Sequence, residues 1–247
     1  MKTSNKLLST ALFIVCASIL GLIQYSKFYE KVQIKIQSGN KIVRNTKLGS
    51  FTKLDISSNF DISIYKGPDS IQLDGDSSLI ESLLLEIKDS TLTISLKENI
   101  QNYSSVGLVI KIYCNTLNDI TLLGSGNIIM QDSFYCASSK LLLTGSGSIE
   151  GRFNSETLDA SLLGSGEISN IGKSNQISAT LSGSGDIDLT ETLGQTGKAN
   201  LLGSGNIDIN CSNSLDIDLT GNGEINYKGS PKLNIKKLGN GEIHSKE

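Results

Sequence analysis

Seven copies of one pentapeptide are the feature that most constrains how this chain can fold. Each copy has the form G-[SN]-G-[NSED]-I, and the first glycines of successive copies are 18–21 residues apart. These first glycines are Gly124, Gly145, Gly164, Gly183, Gly203, Gly221 and Gly239. A unit of this length is too short to be a domain, so stacked copies must share one continuous core. The repeat therefore predicts a solenoid.

The residues around each pentapeptide keep one parity, which distinguishes a strand from a helix. Counted from the first glycine, position +4 is isoleucine in every copy and position −2 is leucine in all but the last. Both positions are an even number of residues from the glycines, so in a strand these side chains share one face, and the polar residues at odd positions share the other. About 19 residues at ~3.3 Å each span roughly 60 Å, enough for one turn of a narrow β-helix. The predicted fold is an all-β, single-stranded β-helix (β-solenoid) with about 19 residues per coil, preceded by an N-terminal hydrophobic helix.

Two further expectations follow from these columns. The glycines lie where the inward face turns a corner, where a side chain has no room and the backbone needs a positive φ. In the last copy Lys237 replaces the leucine at position −2. An inward lysine inside a solenoid would be costly, so we expect this coil to be terminal, with the lysine reaching solvent.

The chain divides into four predicted segments. Residues 1–31 predict a signal anchor or a cleaved signal peptide, because Lys2 and Lys6 precede an uncharged stretch at residues 7–23. Residues 32–50 are polar and predict a tether. Residues 51–115 alternate apolar and polar positions between turn signals and predict an irregular β part that caps the solenoid, and residues 116–247 hold the repeats. An uncleaved anchor would place the protein in a membrane through residues 7–23, facing the periplasm or the cell exterior, whereas cleavage would make it secreted.

Composition excludes several classes of function. The net charge is −3 and the only arginines are Arg44 and Arg152, so the chain lacks the basic stripe that nucleic acid requires. The single histidine, His244, cannot complete a zinc site with the cysteines, and we expect no metal, no cofactor and no catalytic residue.

Three cysteines lie outside the hydrophobic segment: Cys114, Cys136 and Cys211. Export would permit a disulfide, and the positions of Cys114 and Cys136 relative to the next pentapeptide would bring them close on successive coils. The alternative is that all three are small, buried residues with free thiols.

Outward carboxylates form the one candidate binding site. Glu167, Asp186, Asp188 and Asp208 occupy positions +3 and +5 of successive repeats, so coils stacked in register would bring them together on one face. Such a patch could bind calcium through carboxylate oxygens, or hydrolyse a sugar chain with a paired acid and base. The alternative is a solvated face that keeps the solenoid soluble.

The repeats and their flanking segments resemble the GIN-domain family of auto-transporter adhesin heads. The resemblance covers about residues 51–247 and includes FDISIYKG at residues 60–67, LDGD at 73–76 and INYKGSP at 225–231. It implies a single-stranded, right-handed β-helix in an exported protein of the bacterial envelope, with no motif that marks a catalytic residue. We therefore expect a non-enzymatic, adhesin-like binding module with a glycan or protein partner at the cell surface. The alternatives are a β-helix enzyme that acts on polysaccharides and a structural or sensory envelope domain without a ligand.

Overall fold

The computed structural model describes residues 40–97 and 107–246, so the predicted signal anchor or signal peptide of residues 1–31 lies outside the described residues. All the strands belong to one compact unit, which holds the described residues 40–96 and 107–246. A search of the described residues for a helix long and apolar enough to cross a membrane finds none.

Within those ranges the chain is almost entirely β-strand. The strands are β1 (Lys41–Lys47), β2 (Lys53–Ser57), β3 (Asp61–Lys66), β4 (Ser70–Asp76), β5 (Leu83–Lys88), β6 (Thr91–Leu96), β7 (Val109–Cys114), β8 (Asp119–Gly124), β9 (Asn127–Met130), β10 (Phe134–Gly145), β11 (Ser148–Gly151), β12 (Phe153–Gly164), β13 (Glu167–Asn170), β14 (Gly172–Gly183), β15 (Asp186–Gly203), β16 (Asn206–Gly221), β17 (Glu224–Lys228), β18 (Lys232–Leu238) and β19 (Glu242–Ser245). The described residues contain one α-helix, α1 (Ser77–Glu81), which follows β4.

Parallel pairing between successive repeats builds the predicted β-solenoid. One column of neighbouring strands runs β2, β8, β10, β12, β14, β15, β16 and β18. A second column runs β3, β9, β11, β13, β15, β16, β17 and β19. In the first column Gly164 lies opposite both Gly145 and Gly183, so the pentapeptides stack on one another.

Ladders of identical side chains fill the interior, as predicted from the parity of the repeat. The isoleucines at position +4 are at most 1% exposed from Ile128 to Ile225, and the leucines at position −2 are at most 2% exposed from Leu122 to Leu219. Each such side chain contributes on the order of 1.5–3 kcal/mol when fully buried. The two ladders therefore supply much of the free energy that holds the coils together.

The corner predicted at the pentapeptides is also confirmed. The φ angle of the first glycine lies between 115° at Gly239 and 142° at Gly124, a range that residues with a Cβ rarely adopt. The backbone N–H of the next residue bonds to the glycine carbonyl of the preceding coil, as Ser165 does to Gly145 at 3.0 Å. The pentapeptide is thus a backbone contact between coils.

Antiparallel strands and a short helix complete the part that precedes the repeats. β4 pairs antiparallel with β1 and β7, and β5 pairs antiparallel with β6. Helix α1 begins after Asp76, whose carboxylate accepts hydrogen bonds from the N–H groups of Ser78 and Leu79 and so caps the helix. Lys41–Lys47 were predicted to be tether, but they form β1 and cover the edge of β4, so any tether ends before Lys41.

The last coil has the open edge that Lys237 predicts. Lys237 lies opposite Leu219 and is exposed, and within residues 40–97 and 107–246 β18 pairs only with β16. Ile235 and Leu238 are 46% and 72% exposed on the same strand. Lysines along this edge disfavour pairing with another chain, which is how natural sheets protect exposed edges.

The three described cysteines are free thiols. Cys114 lies opposite Lys66 and Cys136 lies opposite Ser155, so the predicted approach of Cys114 to Cys136 on successive coils is wrong. Cys114 lies at the end of β7, which pairs with β3 of the second column, whereas Cys136 lies on β10 of the first column. Burial raises the pKa of the Cys211 thiol to about 11, and burial together with the charge of Asp69 raises that of Cys114 to about 12.

These buried thiols predict a loss of stability in alkali. A thiol in the unfolded chain titrates near pH 8.5, so above about pH 8.5 the unfolded chain releases protons that the native chain keeps. We expect the urea midpoint of unfolding to be steady up to this pH and to fall as the pH rises towards 11. In the Cys211→Ala variant the fall should be shallower, and an equal slope in the two proteins would contradict the assignment.

Candidate functional site

The predicted acidic patch forms as two short rows on the outer face of the second strand column. Glu167 on β13 lies opposite Asp186 on β15, and Asp188 on β15 lies opposite Asp208 on β16. The register therefore brings together all four residues that the sequence singled out. We call these four residues the acidic rows.

Protein groups already contact three of the four carboxylates. Asp186 accepts a hydrogen bond from the Asn206 amide at 2.8 Å, and Asp188 accepts two from Thr190. Asp208 forms an ion pair with Lys246 and accepts a hydrogen bond from its ammonium. This hydrogen bond raises the pKa of Lys246 above its ordinary value. Within the described ranges, no group of three or more histidine, cysteine, aspartate or glutamate side chains is placed to hold a metal ion.

A calcium titration tests the acidic rows. A site with a dissociation constant one hundredth of the added calcium concentration would stabilise the protein by about 2.7 kcal/mol, which would raise the melting temperature by roughly 5–10 °C. Because protein groups already contact three of the four carboxylates, we expect no shift of this size at 10 mM calcium chloride. The Asp188→Asn, Asp208→Asn double variant is the matched control. A rise of several degrees that is absent from the double variant would show that the rows bind calcium.

A larger surface feature lies on a different side of the coils. It is formed by residues near the start of β10, β12 and β14 and in the middle of β15 and β16, before these strands reach the corner that leads to the pentapeptides. It is a groove of about 740 Å³ that crosses β10, β12, β14, β15 and β16. An adjoining groove of about 410 Å³ shares Asn154, Lys173, Leu193 and Asn210 with it. We call the two together the side groove. The volume of the larger part is within the range of small-molecule binding sites.

One in-register row runs along the side groove, ten residues before the first glycine of each pentapeptide. Tyr135 lies opposite Asn154, and Lys173 lies opposite Leu193. The Lys173 N–H donates to the Asn154 side-chain oxygen at 3.1 Å and joins the two pairs. Tyr135 is 74% exposed and Leu193 is 54% exposed, so apolar surfaces lie at both ends of a polar row.

A second row of polar side chains lies beside the first. The Asn175 amide donates to the Glu156 carboxylate, and the Gln195 amide donates to the Asn175 oxygen at 3.3 Å. All three side chains are exposed. Since an amide carries two donor hydrogens and an acceptor oxygen, this chain of hydrogen bonds orients the side chains and leaves further hydrogen-bonding capacity for a ligand.

Hydroxyl groups below these rows connect three coils. Ser155 is 2.8 Å from the Ser139 hydroxyl and 2.9 Å from the Ser174 hydroxyl, and Ser139 and Ser174 are at most 3% exposed. The floor of the groove is therefore polar and hydrogen-bonded, which fixes the spacing of the rows above it.

Lys66 approaches the Tyr135 end of the groove. Its ammonium lies 5.1 Å from the centroid of the Tyr135 ring and 5.6 Å from that of the buried Phe134 ring. This cation–π contact holds the exposed ring against the protein surface. Tyr135 was not among the residues predicted to form a site, and the only signal in the sequence was an aromatic residue in an otherwise aromatic-poor repeat.

Comparison with known proteins identifies the family. The family model described as "Putative auto-transporter adhesin, head GIN domain" matches residues 50–231. That match covers more than half of the chain, so the chain belongs to the GIN-domain family, as the resemblance of its repeats predicted. No curated protein matches this chain in sequence.

Several solved structures share the fold. A structure described as a putative adhesin from Bacteroides fragilis has a TM-score of 0.79 at 24% identity, over 84% of this chain and 98% of that chain. A putative lipid binding protein from Parabacteroides distasonis has a TM-score of 0.68 at 25% identity, over 85% of this chain and 98% of that chain. A putative adhesin from Parabacteroides merdae has a TM-score of 0.69 at 16% identity, over 85% and 98%.

Proposed function

We propose that this protein is an exported, non-enzymatic binding module of the cell envelope, adhesin-like, that holds its ligand on the outer surface of the β-solenoid. The observation that carries this proposal is the side groove, where side chains from successive coils stand in register and are linked by hydrogen bonds. Membership of a family described as adhesin heads supports the same proposal.

The rigidity of the coils suits binding. Binding loses free energy whenever side chains or loops must be ordered on contact, and a surface that is ordered beforehand avoids much of that cost. In the side groove the strand pairing fixes the rows, and the hydrogen bonds between Glu156, Asn175 and Gln195 orient their side chains. The groove therefore presents its polar groups to a ligand with little reorganisation.

Adhesion of whole cells tests the proposal. The full chain would be produced in the envelope of a bacterium that does not adhere, and binding to epithelial monolayers, extracellular matrix and other bacteria would be counted. We expect several-fold more attached cells than with the empty vector on at least one of these surfaces. Equal counts on every surface would contradict the proposal.

Release of sugar tests the rival enzymatic function. The acidic rows, Glu167 with Asp186 and Asp188 with Asp208, are the pairs of carboxylates that could act as acid and base. Neither part of the side groove is lined by them. We expect no new reducing ends when the protein is incubated with polysaccharides. Release that disappears in the Asp188→Asn variant would instead make the protein an enzyme.

A further inference from the structure

We propose that the side groove binds an uncharged oligosaccharide, laid across successive coils from Tyr135 towards Leu193. This inference rests on the proposed binding function and names the chemical class of its ligand. Four observations carry it: the exposed ring, the polar rows, the balance of charge and the spacing of the strands.

The exposed ring provides the surface for one face of a sugar. Tyr135 is 74% exposed, although an aromatic side chain is among the groups that gain most from being covered. A pyranose ring is amphipathic, with C–H groups on its faces and hydroxyl groups around its edge. Stacking a sugar on Tyr135 would cover the apolar ring while the hydroxyls point to the polar rows beside it. The Lys66 ammonium at 5.1 Å keeps the ring in place.

The polar rows match the hydroxyl groups of a sugar. A hydroxyl both donates and accepts a hydrogen bond, and so does a side-chain amide. Asn154, Asn175 and Gln195 bring amides from three coils to the same groove. A ligand with many donors and acceptors at its edge, and no need for a single strong charge, suits this lining better than a phosphate or a carboxylate does.

Charge in the side groove favours an uncharged ligand. The larger part is lined by one carboxylate, Glu156, and one ammonium, Lys173, and the adjoining part adds Glu191 and Lys228. The carboxylate of Glu156 accepts a hydrogen bond from Asn175. At the Tyr135 end Lys66 adds a third ammonium, and beside it lies a third carboxylate, Asp132, which accepts a hydrogen bond from the Lys66 N–H at 2.9 Å. An anionic polymer would gain from an excess of lysine and arginine, and these six side chains carry no such excess.

The spacing of the strands sets the length of the ligand. Neighbouring parallel strands are about 4.8 Å apart, so the three steps from the strand of Tyr135 to that of Leu193 cover roughly 14 Å. Leu193 is 54% exposed and offers a second apolar contact at the far end. A single sugar cannot reach both ends, whereas a short oligosaccharide can.

Glycan binding by the purified full-length protein tests the inference. The probes are an array of neutral oligosaccharides and soluble hexasaccharides of glucose, mannose, galactose and N-acetylglucosamine, with a sulfated oligosaccharide for comparison. We expect binding to at least one neutral probe, and roughly tenfold or greater loss of affinity in Tyr135→Ala. Tyr135→Phe keeps the ring and should bind within a few-fold of the natural protein. The Asn222→Ala variant, at the exposed outer corner of a pentapeptide, is the control for an unrelated surface.

The outcomes separate this inference from the function it rests on. Adhesion of cells without binding to any neutral probe, or with preference for the sulfated one, would overturn the ligand class and leave the binding function standing. Binding to a neutral probe that Tyr135→Ala and Asn175→Ala leave unchanged would overturn the position of the site. Absence of both adhesion and glycan binding would overturn both proposals. Melting temperatures of the variants, expected to be unchanged because these side chains are exposed, show that each variant is folded.

Discussion

Replacing Gly183 by alanine will lower the free energy of unfolding by roughly 4 kcal/mol or more. The φ angle of Gly183 is 140°, a conformation that is strained for a residue with a side chain. A Cβ at this position would also lie 2.1 Å from the Gly164 carbonyl oxygen and 3.0 Å from its carbonyl carbon. These atoms belong to the backbone of the neighbouring coil, so no side chain can rotate away to make room.

The measurement is denaturation by guanidinium chloride, followed by circular dichroism. Gly49→Ala is the matched control, because its new Cβ would lie 3.7 Å from Ile87 in ordinary contact and its φ is not positive. We expect the control to stay within about 0.5 kcal/mol of the natural protein. An unchanged midpoint for Gly183→Ala would mean that the coils can move apart at the corner, and the account of the pentapeptide as a backbone contact would be wrong.

Replacing Asn170 by leucine will cost roughly 3 kcal/mol, because it leaves buried polar groups without partners. Asn170 is 1% exposed. Its side-chain oxygen accepts from the Phe153 N–H at 2.9 Å, and its amide donates to the Phe153 carbonyl at 3.3 Å and to the Thr192 hydroxyl at 3.0 Å. One amide therefore links three successive coils, and leucine has a similar volume but none of these hydrogen bonds.

Asn222→Leu is the control for this substitution, since Asn222 is exposed at the outer corner and its replacement should change stability by less than about 0.5 kcal/mol. Combining Asn170→Leu with Thr192→Val gives a second check. The two residues are in contact, so the effects of the substitutions should not add, with an interaction of roughly 0.5–3 kcal/mol. Simple additivity would show that the bond between Asn170 and Thr192 contributes little.

The core and the end of the solenoid could be predicted from sequence because both depend on local alternation. Ile168 and Leu162 are inward because each is an even number of residues from Gly164 in strands that keep their parity up to the corner. Lys237 predicted an open last coil for a similar local reason, since an inward lysine needs solvent beyond it. The acidic rows came together as expected because the same repeat sets the register of their strands.

The side groove could not be predicted in the same way, because the parity of the strand changes at a corner that no glycine marks. Continued back from Gly145, the alternation would place Tyr135 inside the coil, yet Tyr135 is exposed and its neighbour Phe134 is buried. At this corner two consecutive residues point outward, as Asn175 and Gln176 do on β14. The alternation of inward and outward residues is therefore reversed on the N-terminal side of the corner. An error of one residue at such a corner exchanges the inner and outer faces of everything that precedes it.

The sequence alone therefore determines the repeat period, the inward ladders and the glycine corner, because each depends on residues a few positions apart. The meeting of Tyr135, Asn154, Lys173 and Leu193 in one row depends instead on where each coil bends and on which residues the parallel pairing sets opposite one another. Those contacts join residues about 19 positions apart, and only the stacked coils bring them within reach of a single ligand.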